Sequence, residues 1–216
     1  MDSEELMHVE RRNEGFTLIE LLTVIAILGI LMGLVTGAVT IARKRSLLAQ
    51  AKVDIDQFGA AITAYVGKYG DHPPSSIEDE YQISGNELNS GIESLLAHIT
   101  RDQNFSEFDF QEERLSNVDN DLLGNQEVYN ELRWVFGDNQ LREYLDPWDN
   151  PYIYVETREY GRQFKVHHKE GTKPTLAEAG RSEKSATFHS PTTYQIWSAG
   201  PKGINENGEG DDVHSW

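Results

Sequence analysis

The chain has 216 residues, no cysteine and a formal charge of −17, from 19 Lys and Arg against 36 Asp and Glu. Lack of cysteine excludes a disulfide framework, a thiolate nucleophile and zinc or iron–sulfur sites built on thiolates. So acidic a chain repels phosphate backbones, which argues against nucleic acid as a partner, while it attracts hard cations such as calcium. The seven histidines, at 8, 72, 98, 167, 168, 189 and 214, show no HExxH or other ligand spacing.

The first 15 residues are polar and end in Gly15. The stretch EGFTLIELL (14–22) then opens a long apolar run with Glu20 just inside it. An acidic residue at the centre of a membrane helix costs roughly 2.5–3.5 kcal/mol on the insertion scale, so burial alone does not account for this glutamate. From Leu21 to Ala42 no residue is charged, and about 20 apolar residues suffice to cross a bilayer. A plain signal-anchor meets the same length test. A cleaved secretory signal fits less well, because the run exceeds the usual apolar core and no A-x-A site follows. The positive-inside rule weakly favours the opposite orientation to a C-terminal domain outside the cytoplasm, since Arg43, Lys44, Arg45 and Lys52 follow the span and only Arg11 and Arg12 precede it.

The helix is expected to continue past the basic cluster. Leu48, Ala51, Ile55, Phe58, Ile62, Tyr65 and Tyr69 step by three and four, a single stripe on one face. Gln50, Lys52, Asp54, Asp56 and Gln57 are assigned to the wet face. Gly67, Gly70 and Pro73-Pro74 end the helix near residue 70.

Residues 71–143 are acidic and read as mostly helical. SGIESLLAHIT (90–100) carries Ser90 as N-cap, Glu93 three residues on, and Ile92, Leu95, Leu96 and Ile99 on one face. NQEVYNELRWVF (125–136) patterns similarly, and 104–115 is compatible with helix or loop. The acidic pairs Glu112-Glu113 and Asp119/Asp121 are read as solvated rather than catalytic. From Tyr144 the texture is that of strands. PYIYVE (151–156) and RQFKVHH (162–168) alternate in period two across a turn-like TREYG, and TYQIWS (193–198) is a third strand. The polar stretch 170–190 reads as a long exposed loop. Pro147 and Pro151 rigidify a turn in YLDPWDNPYIY (144–154), with Trp148 and Tyr152 placed to plug it onto the core.

RRNEGFTLIELLTVIAILGILMGL resembles the class III signal of type IV pilins and type II secretion pseudopilins: a polar leader ending in glycine, an aromatic first residue, Thr-Leu-Ile-Glu and an apolar helix. The resemblance implies cleavage after Gly15 by a prepilin peptidase, N-methylation of Phe16, and pairing of Glu20 with the N-terminal amine of a neighbouring subunit. The leader departs from the pattern in carrying five acidic residues. DPWDNPY, with Asp146, Pro147, Trp148, Asn150, Pro151 and Tyr152, is similar to the DPWGNPY motif of the major pseudopilin, Asp149 standing where that motif has glycine. SAGPKGINENGEGDDVHSW (198–216) is similar to that family's calcium loop. It implies calcium held by Asp211 and Asp212, with Glu209, Asn207 and Asn205 as further side-chain ligands and carbonyls near Ala199 and Pro201. Lys202 stands where the family has an aspartate.

The expected fold class is therefore α+β, type IV pilin-like. A long N-terminal helix, half transmembrane and half amphipathic, packs on a small C-terminal antiparallel sheet, with a largely helical insertion. The expected segments are a leader (1–15), an assembly half (16–42), an amphipathic half (43–70), the insertion (71–143) and the β region (144–216). The resemblance implies a non-enzymatic subunit of a periplasmic pseudopilus in type II secretion. It would be anchored by one span in the inner membrane, self-associate into a helical filament, and work with other pseudopilins and an inner-membrane assembly platform. A type IV pilin, a minor or tip pseudopilin, and a signal-anchored periplasmic binding module are the alternatives.

Overall fold

The computed structural model describes residues 16–77, 81, 86–100, 111–124, 138–168 and 173–216. The segment 125–136, expected to be helical, lies outside the described residues, as does the leader. Helix α1 (Leu18–Tyr69) is followed by α2 (Ser90–Thr100) and seven short strands: β1 (Leu115–Ser116), β2 (Glu143–Tyr144), β3 (Ile153–Glu156), β4 (Phe164–Val166), β5 (Thr175–Ala177), β6 (Tyr194–Ser198) and β7 (Val213–His214). The fold is α+β with small antiparallel sheets, as the patterning predicts. The contacts divide the chain into two units, up to Lys44 and from Arg45 onward.

In the first unit α1 is apolar on every face. Its large side chains from Leu18 to Ile41 are exposed, and this part of the helix is long and apolar enough to cross a membrane. Thr23, Thr36 and Thr40 return their hydroxyls to the carbonyls of Ile19, Met32 and Thr36, so the polar groups of the apolar run are satisfied within the helix.

In the second unit α1 turns one face to a core. Ala51, Ile55, Phe58, Ile62 and Tyr65 of the three–four stripe are buried, joined by Ala61, while its end residues Leu48 and Tyr69 are exposed. The helix ends as Gly70 takes φ +82° and donates its N–H to the Val66 carbonyl, a left-handed C-terminal cap. Helix α2 belongs to the same core, with Ile92, Leu95, Leu96 and Ile99 against Phe58, Ile62, Tyr144, Tyr152, Tyr154 and Ile196. Gly91 explains how closely α2 sits over β3: a Cβ there would lie 2.1 Å from the Tyr154 carbonyl oxygen. Ser90 does not serve as the N-cap. Its hydroxyl accepts the Ile77 N–H, and the first helical amides bond to the Asn89 carbonyl.

The strands pair differently from their order in the chain. β3 pairs antiparallel with β6, and β6 with β7, giving the order β3-β6-β7. β4 pairs with β5, whose residues fall in the stretch read as an exposed loop. That stretch is corrected accordingly: Ala177 and Ala179 are buried in a second cluster with Ile153, Val155, Val166 and Trp197. β1 pairs with β2, joining the segment after residue 111 to the start of the β region.

Asp54, assigned to the wet face by its polarity, is buried at 5 % exposure. Arg114 grips it through both guanidinium nitrogens, Nη1–Oδ1 at 3.1 Å and Nη2–Oδ2 at 2.6 Å, and the Tyr152 hydroxyl donates to Oδ2 at 2.7 Å. The guanidinium also lies over the Tyr144 ring, 4.5 Å from its centroid, and its Nε donates to the Leu145 carbonyl. Removing one partner of a buried ion pair strands the other charge. Arg114→Ala is expected to lower unfolding stability by about 3 kcal/mol, and Tyr152→Phe by about 1 kcal/mol. Denaturant titration of the detergent-solubilised chain checks both; equal losses from the two variants would contradict this reading.

Candidate functional site

The N-terminal site begins with Phe16, which is exposed; Gly15 lies outside the described residues. Thr17 and Glu20 form a capping box. The Thr17 N–H and hydroxyl both donate to Glu20 Oε2, at 2.8 and 2.7 Å, and the Glu20 N–H donates to Thr17 Oγ1 at 3.3 Å. Glu20 thus closes the first turn of α1 and sits where the helix dipole favours a negative charge. The T-x-x-E spacing of Thr17 and Glu20 is the sequence signal for this box. All the groups in this box survive cleavage after Gly15, because the Thr17 amide is then the second residue's.

The DPWDNPY turn is built on Asp146, which is buried. Its Oδ1 accepts the backbone N–H of Trp148 (2.8 Å) and of Asn150 (2.9 Å), and its Oδ2 accepts the Ser198 hydroxyl. Pro147 and Pro151 bracket this turn. Asp149 takes φ +68°, the left-handed geometry that a glycine would hold without strain. Asn150 Nδ2 reaches the Gly200 carbonyl at 3.2 Å, tying the turn to the entrance of the C-terminal loop. Trp148 packs half-buried against the core, and Tyr152 lies within it.

The C-terminal loop, 199–212, connects β6 to β7. Several of its carboxylates and amides are engaged with the protein. Asp212 Oδ2 accepts the N–H groups of Glu206 (3.0 Å) and Gly208 (2.8 Å). Asn207 Oδ1 accepts from the Glu178 N–H and from Asn205 Nδ2, both at 3.0 Å. Asn205 Oδ1 accepts from Trp197 Nε1 at 2.9 Å. Glu209 is exposed. Lys202 Nζ stands 2.6 Å from Asp211 Oδ1 and 3.7 Å from Glu206 Oε2. Beyond the loop, Trp216 stacks on His214 and His189, and a Cβ on Gly208 would lie 2.1 Å from its indole.

Calcium takes six to eight oxygens at 2.3–2.6 Å. Asp212 Oδ1, buried with no hydrogen-bond partner, is one oxygen suited to it. The carboxylates of this loop nonetheless bring no three ligand atoms within 4.8 Å of one another, and Asp211 already carries an ammonium. Of the residues that the resemblance implies as ligands, Asp212 thus offers a partnerless oxygen, while Asp211 is paired with Lys202 and the loop's acidic side chains gather no three-ligand cluster.

Such gatherings occur elsewhere among the described residues. Asp71, His72 and Glu156 converge, but Arg158 supplies their counter-charge through Asp71 Oδ2 at 3.1 Å and Glu156 Oε2 at 2.8 Å. Glu93, Asp119 and Asp121 converge too. This corrects the reading of Asp119/Asp121 as a solvated pair: Asp121 and Glu93 are buried, and Asp119 is half-buried. Glu143 lies beside them, fully buried, accepting from Asn89 Nδ2 at 2.8 Å and from the Val118 N–H at 3.1 Å. Burial, aided by the Asp119 charge, pushes the Glu143 carboxyl up to about 8. Burial also raises Asp119, against hydrogen bonding to Asn86 and to the Asp121 amide.

Residues 11–36 match the family described as the prokaryotic N-terminal methylation motif. No curated protein and no solved structure matches the chain. The chain thus carries a prepilin-type signal at its N-terminus, which implies processing by a prepilin peptidase and pilin-like assembly, and the apolar helix that follows has the length and composition of a membrane anchor.

A carboxyl whose folded pKa exceeds its unfolded value holds its proton better in the folded state. Stability is then greatest below the unfolded pKa and is lost as pH rises through the folded one. The chain is expected to lose stability between about pH 4.5 and pH 8 through Glu143. Glu143→Gln should flatten that slope in denaturation midpoints measured across the range; an unchanged slope would show that another group carries it.

Proposed function

We propose that this protein is a structural subunit of a periplasmic pseudopilus in a type II protein secretion system. Cleaved after Gly15 and methylated on Phe16, it would wait in the inner membrane with the residues from Arg45 onward in the periplasm. It would then enter a helical filament through α1 and take no part in catalysis. The assembly platform and the other pseudopilins of such a system are its partners in this reading.

The observation that carries the proposal is the methylation motif at 11–36 running into a helix whose apolar side chains are exposed on every face. A helix of that kind buries its surface either in lipid or against copies of itself. Head-to-tail packing of identical helices is heterologous and does not close, the geometry of a filament. Glu20 supplies the direction. In a low-dielectric bundle its carboxylate attracts a neighbour's α-amine far more strongly than in water. The Asp146-centred DPWDNPY turn, bonded to Ser198 and the Gly200 carbonyl, favours the major pseudopilin over other pilin-like subunits.

The capping box dictates the variants for a test. Glutamine at the third helical position still accepts the Thr17 N–H, so Glu20→Gln keeps the cap and removes the charge. Glu20→Gln is expected to leave membrane insertion intact and to abolish filament yield together with release of folded cargo. Glu20→Gln assembling as the wild type does, while Glu20→Ala fails, would assign the glutamate to helix capping alone. Mass spectrometry of the native protein should find a chain that starts at methylated Phe16; a start at Met1 or Asp2 would support a plain signal-anchor instead.

A further inference from the structure

The C-terminal loop brings several carboxylates together by sharp backbone turns. Gly200, Gly203, Gly208 and Gly210 have φ of +63°, +63°, +85° and +61°, and Asn207 has +57°. These turns are tight. A Cβ on Gly200 would lie 2.2 Å from the Asp211 carbonyl oxygen, and one on Gly210 would lie 2.0 Å from the Glu206 carboxylate. Glu206 and Asp211 are thereby held near one another, with Asp212 next in the chain, and this local excess of negative charge calls for a positive one.

That charge is present in the chain. Lys202 leaves the loop's first turn, whose Gly203 N–H bonds to the Gly200 carbonyl at 3.1 Å. Its backbone N–H donates to Asp211 Oδ2 at 3.2 Å, while its ammonium contacts Oδ1 of the same carboxylate at 2.6 Å. Nζ also faces Glu206 Oε2 at 3.7 Å, and Glu206 Oε2 in turn accepts the Asp211 N–H at 3.3 Å. Lys202 thus bonds the two ends of the loop through one residue, by backbone and by side chain. An ammonium carries one charge and three donors and needs only two or three acceptors. One close carboxylate oxygen at 2.6 Å and a second at 3.7 Å suit an exposed ammonium, whereas a calcium ion takes six to eight oxygens.

We propose that the Lys202 ammonium is the resident cation of the C-terminal loop, so that the loop closes on β7 without a divalent metal. Lys202 is 59 % exposed and Asp211 22 %. An ion pair so placed is weakened by salt. Its role is to neutralise carboxylates that the backbone has already brought together, and its signature is cation selectivity rather than a large gain in stability.

The test uses the full chain solubilised in detergent, with calcium chloride and EGTA as probes. The wild-type Tm is expected to move by less than about 1 °C between excess EGTA and about 1 mM calcium, a concentration at which weak extracellular calcium modules are occupied. Lys202→Asp, which replaces the ammonium by a fourth carboxylate, should melt lower than wild type in EGTA and regain about 2 °C or more on adding calcium. Lys202→Ala tests the same point more gently: its deficit against wild type should shrink in about 0.5 M salt, where the carboxylate repulsion is screened. A wild-type chain that loses Tm in EGTA, or calcium titration heat from the wild type below millimolar concentration, would overturn the proposal. So would a Lys202→Ala chain that matches wild type at low salt. None of these readouts depends on filament assembly, so the pseudopilus reading stands or falls separately.

Discussion

The buried carboxylate of Asp54 is the constraint around which the second unit is arranged. A carboxylate deep in a core is tolerated only with its charge paired and its lone pairs filled. Here the partners come from two distant parts of the chain: Arg114 from the segment before β1, and Tyr152 from the turn before β3. The guanidinium continues to the Leu145 carbonyl, while the Leu145 N–H bonds back to the Arg114 carbonyl at 2.9 Å. One charged side chain on α1 thus sets where the residue-114 segment and the DPWDNPY turn can sit. The Phe58 ring then packs edge-on against both Tyr144 and Tyr152. The apolar stripe supplies the driving force for burial; Asp54 supplies the register.

A second carboxylate extends the same logic to the C-terminus. Asp146 is satisfied by Trp148, Asn150 and Ser198 together, so that the turn and the end of β6 share one acceptor. Burial raises its pKa against those hydrogen bonds. From there Asn150 bonds the Gly200 carbonyl, and the loop returns through Lys202 and Asp211. A chain without cysteine has no covalent staple for a loop of this length. It uses side-chain-to-backbone bonds in series, with Trp216 stacked over Gly208 at the end. Each link is modest and the series is cooperative, because a partner lost at one point leaves a buried acceptor at the next.

The sequence made the elements legible where a single periodicity dominated. The apolar run and the three–four stripe of α1, the face of α2 and the strands β3, β4 and β6 all follow from residue spacing. Asp54 did not, although its position lies three residues after Ala51 and four before Phe58, on the core side of the helix. Polarity outweighed position there, and a buried ion pair is visible only when the partner, 60 residues away, is in view. Strand pairing is not legible for a related reason: β3 meets β6 across some 40 intervening residues. Asp119 and Asp121 read as solvated because acidic loops usually are. Their burial depends on Glu93 and Glu143, which no local pattern links to them. At the candidate loop, the residue types were legible and the ligand geometry was not, since Lys202 decides it by where its side chain lands.

In the proposed reading Glu20 has two uses for one charge, a cap and a partner for a neighbouring amine, and they need not compete. In the isolated chain, the Thr17 amide and hydroxyl hold the carboxylate through a single oxygen, Oε2. Among the described residues no hydrogen bond engages Oε1, and a carboxylate has acceptor sites on both oxygens. A neighbouring α-amine can therefore approach the second oxygen while the cap persists. The capped state lowers the cost of carrying the charge in lipid, because the carboxylate enters the membrane region already hydrogen-bonded and at the positive end of a helix dipole. It does not neutralise the charge, so the gain from a cationic partner in a low-dielectric bundle survives. A glutamate at this position of the helix is thus compatible with both a stored subunit and an assembled one. An apolar residue would serve neither, and an aspartate, one methylene shorter, would have to choose between the cap and the neighbour.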